Sequence, residues 1–287
     1  MQAGSVHSYF KHNPVRLIGR GGQFMTYGTE HVVAKVRRDL SFVREATRMV
    51  APLVAPEQAP SMGEQEAAQL HALPLKSYQK AKSVCGGLVI PFQIVESLEL
   101  TRMEFQRPRF LSQWLLALRW FSGMLYSQNV VVQVRVRRDD FLPCRMKDAL
   151  RQGNYALIEE MLQGVVNILN QLITLRLFEG DPRLDSFAYY HGTLMLVDAG
   201  SVGHTKTRAS AFLHDPELRS VHLQRNQEHY ERLILGNARS YHREQAQRVT
   251  TKFVDQMARV YSPRNLNSKW GNVRRPTPVP DVFPLEL

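Results

Sequence analysis

The chain has 287 residues, of which 44% are hydrophobic and 22% charged, a composition typical of folded globular proteins rather than of disordered ones. Its 37 Lys and Arg residues outnumber its 26 Asp and Glu residues, which gives a formal net charge of +11. This charge favours anionic partners such as nucleotide phosphates, acidic proteins or an anionic membrane surface. The sequence has no dense basic tract, aromatic RNA-stacking motif or zinc-finger spacing, so we do not expect nucleic acid as a partner.

Cysteine content and hydropathy narrow the cellular setting. Cys85 and Cys144 are too few for a disulfide scaffold or a cysteine zinc site, and we expect a reduced, cytoplasmic environment. The first residues lack the apolar core of a signal peptide. The most hydrophobic stretch, residues 110–126, is short for a membrane span and carries Gln113 and Arg119, so it is predicted to form a buried or interfacial helix. We therefore predict no transmembrane segment.

The first part of the chain, residues 1–105, is predicted to form a β-rich lobe. Alternating and β-branched runs predict five strands, at residues 15–18, 24–27, 31–36, 87–96 and 98–105. Ser41 is a plausible N-cap for a helix over residues 42–50, and a second short helical segment is predicted over residues 63–72. The first three strands form a hairpin-led unit because glycines interrupt the chain between them.

The remainder, residues 106–287, is predicted to be mainly helical. The predicted helices cover residues 110–126, 146–176 with a break near Gly153, and 218–261, and a half-exposed strand is predicted at 130–137. Two short β segments at residues 186–189 and 194–197 are joined by a turn at His191-Gly192. A tail rich in Pro, Asn and Arg from about residue 262 is predicted to lie along the surface or to be partly disordered. The pattern as a whole predicts an α+β protein with two lobes.

Four motifs occur in a fixed order along this chain. A glycine turn, Gly19-Arg20-Gly21-Gly22, comes first, and Lys35 follows in an apolar run. Gly180-Asp181 lies far downstream, and Asp198-Ala199-Gly200 comes directly after a short apolar run. Phosphoryl transfer needs a backbone cradle for phosphates, a lysine charge, a group that positions the nucleophile and a carboxylate for Mg²⁺. The four motifs supply these parts in that order.

This order of motifs resembles the protein-kinase-like fold and the wider group that includes aminoglycoside, choline and lipopolysaccharide-core sugar kinases. The resemblance covers roughly residues 14–203. It implies a small antiparallel β lobe with one helix, a larger helical lobe, and an atypical kinase that depends on ATP and Mg²⁺. Such an enzyme transfers the γ-phosphoryl group to a hydroxyl group of a small molecule, a sugar or a protein.

For the glycine turn and the lysine, the resemblance implies contacts with phosphates. Backbone N–H groups at Gly19, Gly21 and Gly22 would approach the ATP phosphates without hindrance from a Cβ atom. Lys35 would bind the α- and β-phosphates. The structural alternatives are an ordinary hairpin turn and a solvated lysine at the edge of a sheet.

Further roles in the first lobe concern the partner of the lysine and the adenine pocket. Glu45 resembles the carboxylate partner of the lysine, and Glu64 or Glu66 could take that role instead. Met103 and Glu104 resemble the hinge, where backbone groups of Glu104 and its neighbours would bind adenine and Met103 would form a wall of the pocket. A methionine in the core at the end of a strand is the alternative for Met103.

In the second lobe the resemblance implies catalytic and metal-binding roles. Asp181 would orient the acceptor hydroxyl and accept its proton. Asp198 would bind Mg²⁺, although a simple turn after a strand is the alternative. Ser186 stands where the family has a metal-binding asparagine, and the adjacent Asp185 would be the better ligand of the two.

Several positions depart from the pattern of the family. Glu179 replaces the histidine that sugar and aminoglycoside kinases often carry, Ser186 replaces the asparagine, Ala199 replaces a phenylalanine, and the third glycine of the turn is missing. These departures favour an alternative, a catalytically impaired pseudokinase that acts as a regulatory or binding module. No Ala-Pro-Glu segment follows Gly200, which favours a small-molecule, sugar or lipid acceptor over an ordinary protein substrate. A basic adaptor for anionic membranes is a third possibility.

Overall fold

The computed structural model describes residues 3–20, 24–37, 75–100, 125–179, 182–200, 202 and 214–270. Contacts divide these residues into two compact units. The first unit contains the described residues up to 75, together with residues 91–100 and 125–135. The second contains residues 76–90 and the described residues from 136 onward. The two units are therefore not two consecutive parts of the sequence, because residues 76–90 belong to the second unit and the described residues between 91 and 135 belong to the first.

The first unit is built on a five-stranded antiparallel sheet with the order β1-β2-β3-β5-β4. Its strands are β1 (Arg16–Arg20), β2 (Phe24–Gly28), β3 (Val32–Arg37), β4 (Phe92–Leu100) and β5 (Leu125–Val134). The first three strands follow one another as hairpins, and β5 lies between β3 and β4. This order places β3 at the centre of the sheet, with paired neighbours on both sides.

Helix α1 (Ala3–His12) contributes to the apolar core of the first unit. Val6 and Phe10, four residues apart and so on one face of the helix, join a buried cluster with alternate residues of the central strands. On β3 these are Val32, Ala34 and Val36. The Tyr9 hydroxyl also lies 2.8 Å from the Thr29 hydroxyl oxygen, which ties the helix to the loop before β3.

The second unit combines helices with a small β-hairpin. Its helices are α2 (residues 75–84, all but the first of which belong to this unit), α3 (Leu142–Gln152), α4 (Tyr155–Thr174), α5 (Pro216–Ile234), α6 (Arg243–Val260) and α7 (Pro263–Trp270). The hairpin consists of β6 (Phe187–Tyr190) and β7 (Thr193–Leu196). Helix α4 buries ten side chains, and helices α3, α6 and α7 all contact it. Among the elements of the described chain, α4 therefore forms the central column of this unit.

Several sequence predictions are confirmed. The α+β class is correct, and strands occur where residues 15–18, 24–27 and 31–36 predicted them. The predicted break lies at Gly153, which has a φ of 69° and ends α3, while the Asn154 side chain caps α4 by accepting from the Leu157 amide. The turn of the β6–β7 hairpin is at His191 and Gly192, both with positive φ.

Other predictions are wrong in detail. Over the described residues, the two strands expected at 87–96 and 98–105 are replaced by one strand, β4, because Val95 pairs with Val130 and Ser97 with Gln128 in the same register. Leu125 and Tyr126, which ended the helix predicted over 110–126, begin β5, where they pair with Leu100 and Glu99. The strand predicted at 130–137 ends at Val134 and belongs to the sheet of the first unit.

The structure also adds elements that the sequence patterns did not indicate. Helix α1 was not predicted, and the tail expected to lie along the surface begins with α7, which buries Leu266 and donates from Trp270 Nε1 to the Ile173 carbonyl at 2.7 Å. The helices predicted over 42–50 and 63–72 lie outside the described residues. Within the described part of the chain, every helix is too short or too polar to cross a membrane.

The packing of α1 leads to a stability test. We expect Phe10→Ala to lower the free energy of unfolding by about 3–5 kcal/mol, because it leaves a cavity in the core of the first unit. Lys11→Ala is the matched control on the same helix, since Lys11 is exposed, and it should change the free energy by less than about 0.5 kcal/mol. Urea unfolding measures both, and equal effects would contradict the role given to α1.

Candidate functional site

Lys35 occupies the centre of the sheet in the first unit. Its side chain alternates with those of Ala34 and Val36, so it projects from the face opposite to the one in the core with α1. Lys35 is only 8% exposed. Burial of a charged group is costly unless its surroundings compensate the charge. The surroundings of Lys35 must therefore compensate its charge.

The register of the sheet aligns Lys35 with the beginning of the glycine turn. Gly19, Thr26, Lys35, Val131 and Ile94 lie opposite one another in a single row across all five strands. Because neighbouring strands lie about 4.8 Å apart, two strand spacings put the backbone of Gly19 about 10 Å from that of Lys35. The structure thus brings these two candidate residues to the same level of the sheet.

Packing does not explain the glycine at position 19. A Cβ atom there would meet the Thr26 Cβ atom at 3.6 Å, an ordinary contact distance, and the residue does not have the positive φ that favours glycine. Gly28 is different, because a Cβ atom there would meet the Ile18 side chain at 2.8 Å. The lack of a side chain at Gly19 is consistent with a backbone that must remain open to a ligand.

In the second unit, the β6–β7 hairpin brings Ser186 and Asp198 to its open end. Phe187 pairs with Leu196, and the Val197 amide donates to the Ser186 carbonyl at 2.7 Å. Ser186 directly precedes the first strand, and Asp198 lies two residues after the second. The two candidate metal ligands are therefore held at one end of a short, regular hairpin.

Asp198 has well-defined hydrogen-bond donors. Its Oδ1 atom accepts from the Tyr78 hydroxyl at 2.8 Å and from the Gly200 amide at 3.0 Å. Asp198 is exposed, whereas Tyr78 is fully buried. Burial, and then the negative charge and hydrogen bond of Asp198, raise the pKa of the Tyr78 phenol well above its ordinary value. The phenol therefore stays protonated and donates its hydrogen to the carboxylate at neutral pH.

Tyr78 reaches Asp198 because backbone pairing joins its segment to the hairpin. The Leu196 amide donates to the Leu88 carbonyl at 2.8 Å, and the Ile90 amide donates to the Leu196 carbonyl at 2.9 Å. These bonds form a short parallel pairing beside β7. Helix α2, which carries Tyr78, ends four residues before Leu88. The pairing thus fixes the chain that follows the end of α2 relative to β7, and Asp198 lies two residues after β7.

Asp185 has a different environment. Arg183 donates from Nε to Oδ1 at 3.1 Å and from Nη2 to Oδ2 at 2.7 Å, so the guanidinium group engages both carboxylate oxygens. A paired carboxylate would have to give up these bonds before it could bind a cation. Asp185 would therefore have to lose its contacts with Arg183 before it could serve as a metal ligand.

Two buried tyrosines hold the backbone on either side of Gly180 and Asp181. The Tyr261 hydroxyl donates to the Glu179 carbonyl at 3.0 Å, and the Tyr230 hydroxyl donates to the Pro182 carbonyl at 2.8 Å. Tyr230 comes from α5, and Tyr261 directly follows α6. The backbone at Glu179 and at Pro182, the described residues nearest to this pair, is therefore held by the tyrosines of the second unit.

The predicted site residues divide into three groups. Gly19 and Lys35 share one row of the sheet in the first unit, and Asp185, Ser186 and Asp198 lie at one end of the hairpin in the second. The others lie outside the described residues; these are Gly21, Gly22, Glu45, Met103, Glu104 and Asp181. The alternative lysine partners, Glu64 and Glu66, lie outside them as well.

Sequence reasoning missed the three tyrosines. Tyr78, Tyr230 and Tyr261 lie 120, 48 and 82 residues from the groups to which they donate. No spacing rule connects residues so far apart in the chain. An isolated tyrosine within an apolar helical pattern was the sole available signal, and it indicates burial rather than a partner.

The residues present are compatible with Mg²⁺ but not with a metal site built by the protein alone. In the part of the chain that the structure describes, no three His, Cys, Asp or Glu side chains form a group that could hold a metal ion. Mg²⁺ bound together with a nucleotide uses one or two carboxylates, water and phosphate oxygens. Asp198 can supply the carboxylate ligand of such an ion, and Ser186 lies at the same end of the hairpin.

Comparison with known proteins does not place the chain in a family. A scan against protein-family models finds no match, and a search of curated proteins finds no significant match either. Function must therefore be inferred from the chemistry and positions of the residues themselves.

The tyrosine anchors can be tested through stability. We expect Tyr230→Phe and Tyr261→Phe each to lower the free energy of unfolding by about 1–3 kcal/mol, because each leaves a buried carbonyl without its donor. Tyr155→Phe is the matched control, since the buried Tyr155 hydroxyl has no hydrogen-bond partner among the described residues. This control should change stability by less than about 0.5 kcal/mol. Chemical unfolding compares the three variants, and a control as damaging as the other two would refute the assignment.

Proposed function

We propose that the chain is an ATP- and Mg²⁺-dependent phosphotransferase with a protein-kinase-like fold, which transfers the γ-phosphoryl group to a hydroxyl acceptor. The observation that carries this proposal is the buried Lys35 on β3, in register with Gly19 at the end of β1. In protein kinases a glycine-rich loop covers the phosphates, and the phosphate-binding lysine lies on the third strand. The same two features occur here in the same order.

In this proposal the first unit binds the phosphates. Backbone amides of the turn that starts at Gly19 approach the phosphate oxygens, and the Lys35 ammonium group compensates their negative charge. A phosphate bound at this level of the sheet would be a further anionic partner for Lys35. This gives a physical reason for a lysine in the middle of a valine-rich strand.

In the second unit, Asp198 holds Mg²⁺ and Asp181 orients the acceptor. Bound Mg²⁺ would neutralise charge on the phosphate oxygens. Asp181 positions the acceptor hydroxyl and accepts its proton. The contacts of Tyr230 and Tyr261 with the carbonyls of Pro182 and Glu179 support this role, because they hold the nearest described backbone on each side of Asp181. Positioning and charge compensation then supply most of the rate enhancement.

The acceptor is a hydroxyl group of a small molecule, a sugar or a protein. No Ala-Pro-Glu segment follows Gly200, and this favours a small acceptor. The net charge of +11 favours acceptors that are themselves anionic.

A second candidate function is a pseudokinase that binds nucleotide without turnover. The observation in its favour is the ion pair between Arg183 and Asp185, which engages the carboxylate beside the position where the family has an asparagine. If Asp185 stays paired, Ser186 is the remaining second ligand, and a hydroxyl group binds Mg²⁺ weakly.

Nucleotide binding tests the proposal directly. We expect Lys35→Met to weaken MgATP binding at least about tenfold, or about 1.4 kcal/mol, because it removes the charge that compensates the phosphates. Lys11→Met is the matched control, with the same charge change at an exposed position, and it should leave the affinity unchanged. Isothermal titration calorimetry gives both affinities. An equal affinity for Lys35→Met and for the wild type would argue against the phosphate-binding role.

Turnover then separates the two candidate functions. ADP release is measured with MgATP and a panel of sugar, aminoalcohol and peptide hydroxyl acceptors. Acceptor-dependent ADP release that is lost in Asp181→Ala supports the phosphotransferase. MgATP binding without acceptor-dependent release supports the pseudokinase, and the absence of any nucleotide binding rejects both.

A further inference from the structure

Tyr78 is a buried tyrosine whose hydrogen-bond acceptor is a carboxylate. Its ring is fully buried, yet its hydroxyl donates at 2.8 Å to the carboxylate of Asp198, an exposed residue. Two further buried tyrosines of the second unit, Tyr230 and Tyr261, donate to backbone carbonyls. A buried phenol needs one acceptor, and a carbonyl serves that need. Because a carbonyl would satisfy the phenol, the hydrogen bond to an exposed carboxylate indicates a function for the carboxylate.

We propose that Tyr78 is a positioning residue, which holds the Asp198 carboxylate in the orientation that binds the divalent cation of the nucleotide complex. This inference rests on the proposed function. Tyr78 touches neither the nucleotide nor the acceptor in this scheme and acts only through Asp198.

The geometry supports this role because two donors share one carboxylate oxygen. The Tyr78 hydroxyl and the Gly200 amide both donate to Oδ1. An exposed aspartate without such bonds rotates among several rotamers, and binding a cation would have to restrict it. Two donors from different segments restrict it in advance, and partners behind metal ligands commonly act in this way.

The chemical nature of the donors supports it as well. The phenol and the amide that contact Asp198 are neutral, and a neutral donor orients a carboxylate without cancelling its charge. Asp185, thirteen residues earlier in the chain, is instead paired with the cationic Arg183. The Tyr78 hydroxyl and the Gly200 amide thus add orientation at Asp198 without adding positive charge.

The position of Tyr78 is itself fixed by the main chain. Two backbone hydrogen bonds join Leu196, two residues before Asp198, to Leu88 and Ile90, which lie four and six residues after the end of α2. A shift of either segment would break both bonds, so the phenol and the carboxylate meet reproducibly. This fixed arrangement is what a positioning role needs.

Cation binding in the presence of nucleotide tests the proposal. Mn²⁺ serves as the probe for Mg²⁺, and electron paramagnetic resonance gives its affinity with saturating ADP. We expect Tyr78→Phe to weaken Mn²⁺ binding about tenfold or more, as is common for partners behind a metal ligand. The affinity for ADP in EDTA, measured by calorimetry, should stay within about twofold of the wild type, a difference that corresponds to about 0.4 kcal/mol. Tyr155→Phe, which removes a phenol oxygen elsewhere in the second unit, should change neither value.

A double-mutant cycle distinguishes positioning from a general structural effect. In an Asp198→Asn background, Tyr78→Phe should cause no further loss of Mn²⁺ affinity, because its effect passes through that carboxylate. Additive losses would overturn the proposal, and so would a Tyr78→Phe protein that weakens ADP binding in EDTA as much as Mn²⁺ binding. If the wild-type protein binds ADP with Mn²⁺ and Tyr78→Phe matches it, Tyr78 has no such role and the proposed function stands. If the wild type binds neither ADP nor Mn²⁺, the proposed function fails and this inference fails with it.

Discussion

The candidate site of the second unit depends on a single stretch of backbone pairing, between Leu196 and residues 88–90. Leu196 uses both its amide and its carbonyl group in this pairing, and both hydrogen bonds are shorter than 3 Å. Buried backbone groups must be paired, so this register cannot slip by one residue without leaving donors and acceptors unsatisfied. The pairing fixes the chain after the end of α2 against the last residue of β7. The hydrogen bond between Tyr78 and Asp198 follows from this constraint.

In the first unit, the register of the sheet decides the position of the candidate residue Lys35. Alternation divides β3 into an apolar face in the core with α1 and an opposite face that carries Lys35. A slip of one residue would move the lysine into the apolar core and expose Ala34 and Val36 in its place. The packing of α1 against the sheet therefore does more than stabilise the unit. It selects the register that keeps Lys35 level with Gly19.

The fold was predictable from sequence where the signal is local. Gly153 and the His191-Gly192 turn were found because positive φ favours glycine at a helix end and at a tight turn. The run that ends at Leu125 and Tyr126 was misread because a continuous apolar stretch does not distinguish a helix from a buried strand. The pairing partners of these residues, Glu99 and Leu100, decide the matter, and they are not visible in a local window. Helix α1 was missed for a similar reason, since two apolar residues on one face of ten residues indicate little without the sheet that covers them.

The candidate site was predictable to the extent that its chemistry lies in charged groups within recognisable patterns, such as Lys35 and Asp198. The tyrosines that hold these patterns in place could not be found, because each contact joins segments at least 48 residues apart. The hydrogen-bond donors in these contacts nevertheless share one property, which is that they are neutral. In a chain with 37 Lys and Arg residues, the contacts described for Asp198 and for the carbonyls beside Asp181 use neutral hydroxyl and amide groups. A cationic donor at Asp198 would compensate its carboxylate in advance and weaken its attraction for a divalent ion. The neutral donors described here restrain the Asp198 carboxylate and the backbone at Glu179 and Pro182 without adding positive charge.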